Sequence, residues 1–144
     1  QRMLRLEKGH IIISQDTDGL THPVEAGMAW AIARKKPFYV GLKSVAMQEA
    51  KPLTRQLVGL EITDPKAPMP KECHLVLNGP DISGRITSIA RSPVLGKVVA
   101  MAYVAPSQVE PGTSVEVRVD GGETVNATVV TLPFYDPDGA RQEM

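Results

Sequence analysis

The sequence predicts a mainly β protein: a six-stranded antiparallel barrel over residues 53–144, preceded by a partial α+β segment over residues 1–52. Three observations carry that expectation. Apolar, β-rich runs punctuated by proline and glycine fall at residues 56–62, 74–77, 81–91, 98–104, 114–119 and 124–132, all beyond Pro52. Six short strands in so few residues suit a small barrel or sandwich. Between residues 84 and 106, two of the runs are joined by Ser92-Pro93-Val94-Leu95-Gly96-Lys97 as a hairpin, and the second, from Val98 to Val104, is apolar almost throughout, as suits a strand covered on both faces. Pro93 cannot donate to a ladder and Gly96 tolerates a positive φ, so chemistry specifies the break between the two strands.

From the N-terminus, Met3, Leu4 and Leu6 interleave with Arg2, Arg5, Glu7 and Lys8, which predicts the last turns of a helix stopped by Gly9. His10-Ile11-Ile12-Ile13-Ser14 reads as a short strand and Gln15-Asp16-Thr17-Asp18-Gly19 as a turn. The aspartate spacing in that turn is similar to part of a calcium loop, but the further acidic ligands and the closing glutamate are missing, so no metal is expected. Pro23 suits a first helical position, making His22 the N-cap and Glu25 the carboxylate that reaches back to it. A helix is expected from there to about Ala33, with Val24, Met28 and Ala31 or Ile32 on its apolar face and Trp30 as its anchor. Arg34, Lys35 and Lys36 would then complement the helix dipole, a simpler account than a polyanion site, and Pro37 would end the helix. Ser44 is expected to cap a short helix through Glu49, which Lys51-Pro52 closes. The stretch from Pro65 to Pro70 reads as a stiff loop, and Asp120-Gly121-Gly122-Glu123 as a hairpin turn.

Composition narrows the function classes. With 144 residues, 42% of them hydrophobic, the chain can bury a core, and 16 basic against 16 acidic residues give no net charge to draw it to nucleic acid or an anionic membrane. Only 4% of residues are aromatic and they do not line up along the strands, so stacking on single-stranded nucleic acid is not expected either. Cys73 stands alone, which excludes an internal disulfide framework and a cysteine-based metal cluster and fits a reducing compartment. No apolar run approaches the roughly 20 residues of a membrane span, and the start has no signal-peptide layout, so a cytoplasmic location is expected. Asn126-Ala127-Thr128 matches the glycosylation sequon by accident within a strand. The opening at Gln1 looks like the inside of an element and reads as a fragment. No nucleophile elbow, phosphate-cradling loop or zinc spacing among His10, His22 and His74 is present, so no catalytic residue and no metal site is predicted.

A resemblance adds what these patterns lack. Leu4-Arg5-Leu6-Glu7-Lys8-Gly9, Gln15-Asp16-Thr17-Asp18-Gly19, Pro23, Glu25-Ala26-Gly27 and Trp30 are followed in order by Phe38-Tyr39-Val40-Gly41, Leu57-Val58-Gly59-Leu60, Ser88 with Arg91-Ser92-Pro93-Val94-Leu95-Gly96-Lys97, Pro111-Gly112-Thr113 and Pro133-Phe134-Tyr135. This series resembles the second half of the folate-dependent glycine-cleavage T-protein (aminomethyltransferase) family. Glu7-Lys8-Gly9, Gln15-Asp16-Thr17-Asp18-Gly19 and the tail from Phe134 to Arg141 are most similar to the alpha subunits of heterotetrameric sarcosine oxidases.

The resemblance implies a domain in which tetrahydrofolate accepts the one-carbon unit released when an N-methyl amine is oxidised at a flavin in a partner subunit. It also implies that the family's catalytic aspartate and most of its folate pocket lie upstream, so the isolated chain is expected to be inactive and to hold no cofactor alone. Residues 1–52 would be the end of the folate-binding domain and residues 53–144 the C-terminal barrel. Two pocket positions would fall here, at Gln1 and His10. Gln1 stands where the family has an arginine and lacks the charge to pair with a folate carboxylate. His10 stands where the family has an aromatic ring, and imidazole can still stack or hydrogen-bond. The expected partners are the upstream part of the same polypeptide and other oxidase subunits, with a homodimer of the fragment through an exposed apolar face carrying some of Ile11, Ile13, Met28 and Trp30. The alternative is a non-catalytic barrel module that braces a neighbouring domain or subunit.

Overall fold

The computed structural model describes residues 1–143. Strands β1 (Gln56–Ile62), β2 (Leu75–Asn78), β3 (Asp81–Ser92), β4 (Lys97–Val104), β5 (Ser114–Arg118) and β6 (Thr124–Val130) close an antiparallel barrel in the order β1-β4-β3-β2-β5-β6. All six expected strands form, with ends displaced by no more than two residues. Two short helices, α1 (Arg2–Glu7) and α2 (Leu42–Glu49), precede them.

Alternation along each strand builds the core. Val58, Leu60 and Ile62 of β1 point inward with Val98, Ala100, Ala102 and Val104 of β4, and meet Val115, Val117, Val125, Ala127 and Val129 from β5 and β6. Valine and alanine predominate because a six-stranded barrel leaves room only for small side chains. The other face of β4 is also buried: Val99, Met101 and Tyr103 form a second cluster with Leu6 of α1 and Leu57, flanked by Leu132 and Phe134. This second layer is why the β4 sequence is apolar without alternation.

The hairpin of β3 and β4 forms as expected, with Gly96 at φ 67° in its connection. Gly84 lies so close to β4 that an added Cβ would sit 1.8 Å from the Tyr103 carbonyl oxygen, a position no other residue can occupy. Between Ile86 and Ser88 the register shifts by one residue in a β-bulge. A bulge turns adjacent side chains toward the same side of the strand.

The N-terminal third departs from expectation in four places. Residues 10–14 form no strand; only an isolated bridge joins Ile13 and Thr17. β-propensity describes how well a residue fits beside a neighbouring strand, and these isoleucines have no such neighbour among the described residues. The expected helix after Pro23 is a single turn, closed by the Ala26 amide on the His22 carbonyl at 3.1 Å and by the Met28 amide on the Pro23 carbonyl at 2.7 Å. Gly27, at φ 71°, ends it, and a 3-10 turn at Ala29–Ala31 follows. The Glu25 carboxylate does reach back to the His22 amide, at 2.6 Å, so the local cap forms without the helix it was read to start. With no helix end beside it, Arg34 forms a forked ion pair with Glu49 at 2.5 and 3.2 Å in place of complementing a dipole. Finally, α2 begins at Leu42 with Gly41 as its N-cap, so Ser44 lies inside the helix and caps nothing.

Candidate functional site

A cleft of about 740 Å³ opens between the loop after α1, the turn around Gly27 and the open flank of β1. It exists because β6 pairs only with Gly59–Glu61 of β1, leaving Gln56, Leu57 and Val58 without a strand on that side. Ile11, Met28, Trp30, Leu57 and Leu132 make its walls largely apolar. His10 lines the cleft and is exposed to solvent. Lys8 also lines it, but its ammonium is held by the Asp136 carbonyl at 2.7 Å. Gln1 is exposed at the N-cap of α1, makes no side-chain cap hydrogen bond and is not among the lining residues. It is separated from His10 by the whole of α1, roughly 9 Å of helix. The two residues singled out from the sequence are therefore not brought together.

His10 is fixed from below. Gly9 takes φ 66° after the last turn of α1, its amide donates to Leu6 at 2.9 Å, and the His10 amide donates to the Arg5 carbonyl at 2.8 Å. These are the paired bonds of a Schellman motif, which requires the left-handed conformation at Gly9. The Arg5 guanidinium returns the contact by donating to the His10 carbonyl at 3.1 Å, so one residue grips both backbone groups of His10.

Arg5 is in turn anchored to the barrel through Asp16, which is fully buried. Oδ2 of Asp16 accepts from Arg5 Nη1 at 2.5 Å and from the Ile12 amide at 2.8 Å. Oδ1 accepts from Thr87 at 2.6 Å and from Ser88 at 2.5 Å. Adjacent residues of a regular strand face opposite ways, and the bulge at Ile86–Ser88 lets both hydroxyls reach one carboxylate. Ser88 uses its full capacity, donating to Asp16 and accepting from Arg5 Nη2 at 2.6 Å and Gln15 Nε2 at 3.1 Å. The Tyr103 hydroxyl adds a bond to the Asp16 carbonyl at 2.9 Å, and burial pushes its pKa up.

Two further contacts hold the segment down. Buried Glu7 accepts from the Ser92 hydroxyl at 2.6 Å. The Arg55 guanidinium lies 4.6 Å above the Tyr103 ring and donates to Glu25 at 2.9 Å, which raises the Arg55 pKa. In the calcium-like turn, Asp18 accepts from the Thr21 hydroxyl and the Leu20 amide, which lower its pKa. In the sequence, Asp16, Thr87 and Ser88 are not marked as a unit; their one local sign is two adjacent hydroxyl residues interrupting the alternation of an apolar strand.

Residues 55–136 match the glycine cleavage T-protein C-terminal barrel domain. The chain belongs to the glycine cleavage T-protein family. It is 37% identical over 131 residues to an aminomethyltransferase of Thermotoga petrophila, covering 91% of this chain and 35% of that protein. A similar protein from Halothermothrix orenii, also an aminomethyltransferase, is 32% identical over 131 residues, with 91% and 36% covered. The sarcosine oxidase subunit alpha of Corynebacterium sp. (strain P-1) is 31% identical over 149 residues, covering 98% of this chain and 15% of that subunit. The crystal structure of the glycine cleavage system aminomethyltransferase T from Bartonella henselae superposes with a TM-score of 0.83 at 29% identity, over 94% of this chain and 38% of that one. As a T-protein C-terminal barrel, the chain thus spans about a third of the length of the curated aminomethyltransferases it matches. Among its described residues no helix is long and apolar enough to cross a membrane.

Proposed function

We propose that this chain is the C-terminal part of a tetrahydrofolate-dependent one-carbon transferase, of the kind carried by a sarcosine oxidase alpha subunit, with residues 1–52 completing a folate site and residues 53–144 supporting it. The single observation that most supports this reading is that His10 lines the 740 Å³ cleft. Apolar walls of that size suit flat heteroaromatic rings. Tetrahydrofolate would supply the acceptor for a one-carbon unit released from an N-methyl amine oxidised at a flavin elsewhere in the assembly. The residues here would bind and orient: the His10 imidazole stacks or hydrogen-bonds, while Ile11, Met28 and Leu57 exclude water from one side of the rings. Gln1 is neutral and the Lys8 ammonium is engaged by Asp136, so neither offers a free positive charge to the folate carboxylates.

The partner of the open side would be the upstream part of the same polypeptide. Ile13 and Trp30 are 73% and 80% exposed, and Leu20, Phe38 and Val40 are exposed at 89%, 74% and 95%, large apolar side chains that such a partner would cover. The same exposure supports a second reading, a barrel that only braces a neighbouring domain or subunit. Expressing the longer polypeptide and assaying tetrahydrofolate-dependent transfer from an N-methyl amine separates the two. Turnover that disappears without folate supports the first reading, and folate-independent behaviour supports the second.

A further inference from the structure

We propose that Arg5 is a positioning residue that sets the height of His10 at the cleft by coupling it to the bulge in β3. This rests on the reading of the cleft as a binding site for its use, but not for its mechanics. The argument is one of connectivity. The loop after α1 has no strand partner, so beyond the helix-end bond made by its own amide nothing of regular structure fixes residue 10. Both backbone groups of His10 are nevertheless bonded to Arg5, at 2.8 and 3.1 Å. Through its other nitrogen the same guanidinium reaches Ser88, 83 positions away, while Nη1 also meets the buried Asp16. One planar group therefore spans the His10 carbonyl, a buried carboxylate and a barrel hydroxyl.

Only arginine can do this. A guanidinium presents a rigid fork of donors, whereas a lysine ammonium is a point donor on a flexible stem and reaches one or two of those groups at a time. The bulge is the other half of the device, because without it Ser88 and Thr87 would face opposite sides of β3 and the fork would lose one anchor.

The test compares the chain with its Arg5→Lys and Ser88→Ala variants by NMR, following the His10 ring resonances and backbone amide exchange. Arg5→Lys retains the charge against Asp16, so the barrel is expected to hold. In that variant the His10 ring resonances should move toward those of an unstructured histidine, because the side-chain bond to the His10 carbonyl is lost, while the Val99 and Ala100 amides of β4 are unchanged. His10 signals identical to those of the unsubstituted chain would overturn the proposal. Should Arg5→Lys also perturb the β4 amides, Ser88→Ala decides: it leaves Arg5 and Asp16 in place, and it must still shift the His10 signals with β4 intact. An unchanged His10 there would likewise overturn the proposal. None of these measurements involves folate, so a failure of the folate reading would leave them standing, and their failure would not touch it.

Discussion

Asp16 and Ser88 are 72 positions apart in the chain and are joined by a hydroxyl-to-carboxylate hydrogen bond of 2.5 Å. Four donors converge on that buried carboxylate, from Arg5, Ile12, Thr87 and Ser88. Its replacement by alanine would leave the partly buried Arg5 guanidinium without its counter-charge and the buried Ser88 hydroxyl without its acceptor. Breaking a buried ion pair from one side costs about 3–5 kcal/mol, and Asp16→Ala should fall in that range. Urea unfolding would measure it. Asp16→Asn should cost less, since the amide oxygen still accepts from two of the donors.

Gly84→Ala should be among the most damaging single substitutions on the barrel. The added carbon meets the Tyr103 carbonyl at 1.8 Å, and a backbone group of β4 cannot give way as a flexible side chain could. Overpacking of that kind costs about 3 kcal/mol or more, and the expected outcome is a chain that no longer gives a cooperative thermal transition. Gly79→Ala is the control, because nothing lies within 4 Å of its added Cβ, although its φ of 62° still imposes strain.

The acid limb of stability should carry a small contribution from Asp120. Hydrogen bonds from Lys71 first, and then from His74, hold its carboxyl below the usual aspartate range. A depressed folded pKa means that the contribution is present above the unfolded value, near 3.9, and is lost as pH falls through the lower folded value. The melting temperatures of the chain and of Asp120→Asn should therefore differ slightly at pH 6 and converge toward pH 2–3, a window set by that ordinary aspartate value. Equal melting temperatures across the whole range would show that Asp120 contributes nothing. The size should be modest, because the group is exposed and screened.

How much of this was legible in the sequence depended on how far apart the determining residues lie. The barrel was readable because each strand carries its own alternation and its own proline or glycine stops, and β4 announced its two covered faces by having no polar side. The Gly9 stop of α1 was equally local. In residues 10–33 the same local rules misled. Three isoleucines without a neighbouring strand do not make a strand, and the periodic Val24, Met28 and Ala31 could not extend a helix past Gly27 at φ 71°. The clamp on Asp16 was hidden for the opposite reason. Its partners Thr87 and Ser88 become neighbours of Asp16 only after the barrel has closed, and only a register shift turns both of them toward it.

Trp30 is the chain's one tryptophan and is 80% exposed, which makes it a reporter for the open side. In the isolated chain its emission should be red-shifted and readily quenched by acrylamide. In the longer polypeptide the same tryptophan should be blue-shifted and protected. Equal quenching in both would show that the upstream part does not cover this face.

The central claim, that His10 contributes to a folate site that this chain only half builds, is tested most directly by calorimetric titration of tetrahydrofolate into three proteins: the isolated chain, the longer polypeptide and its His10→Ala variant. A largely buried ligand needs an enclosing pocket, so the isolated chain should show no measurable binding while the longer polypeptide binds. His10→Ala should weaken that binding by about 1–2 kcal/mol, the loss expected for one stacking or hydrogen-bonding side chain. Tight binding by the isolated chain, or an affinity unchanged by His10→Ala, would contradict the account.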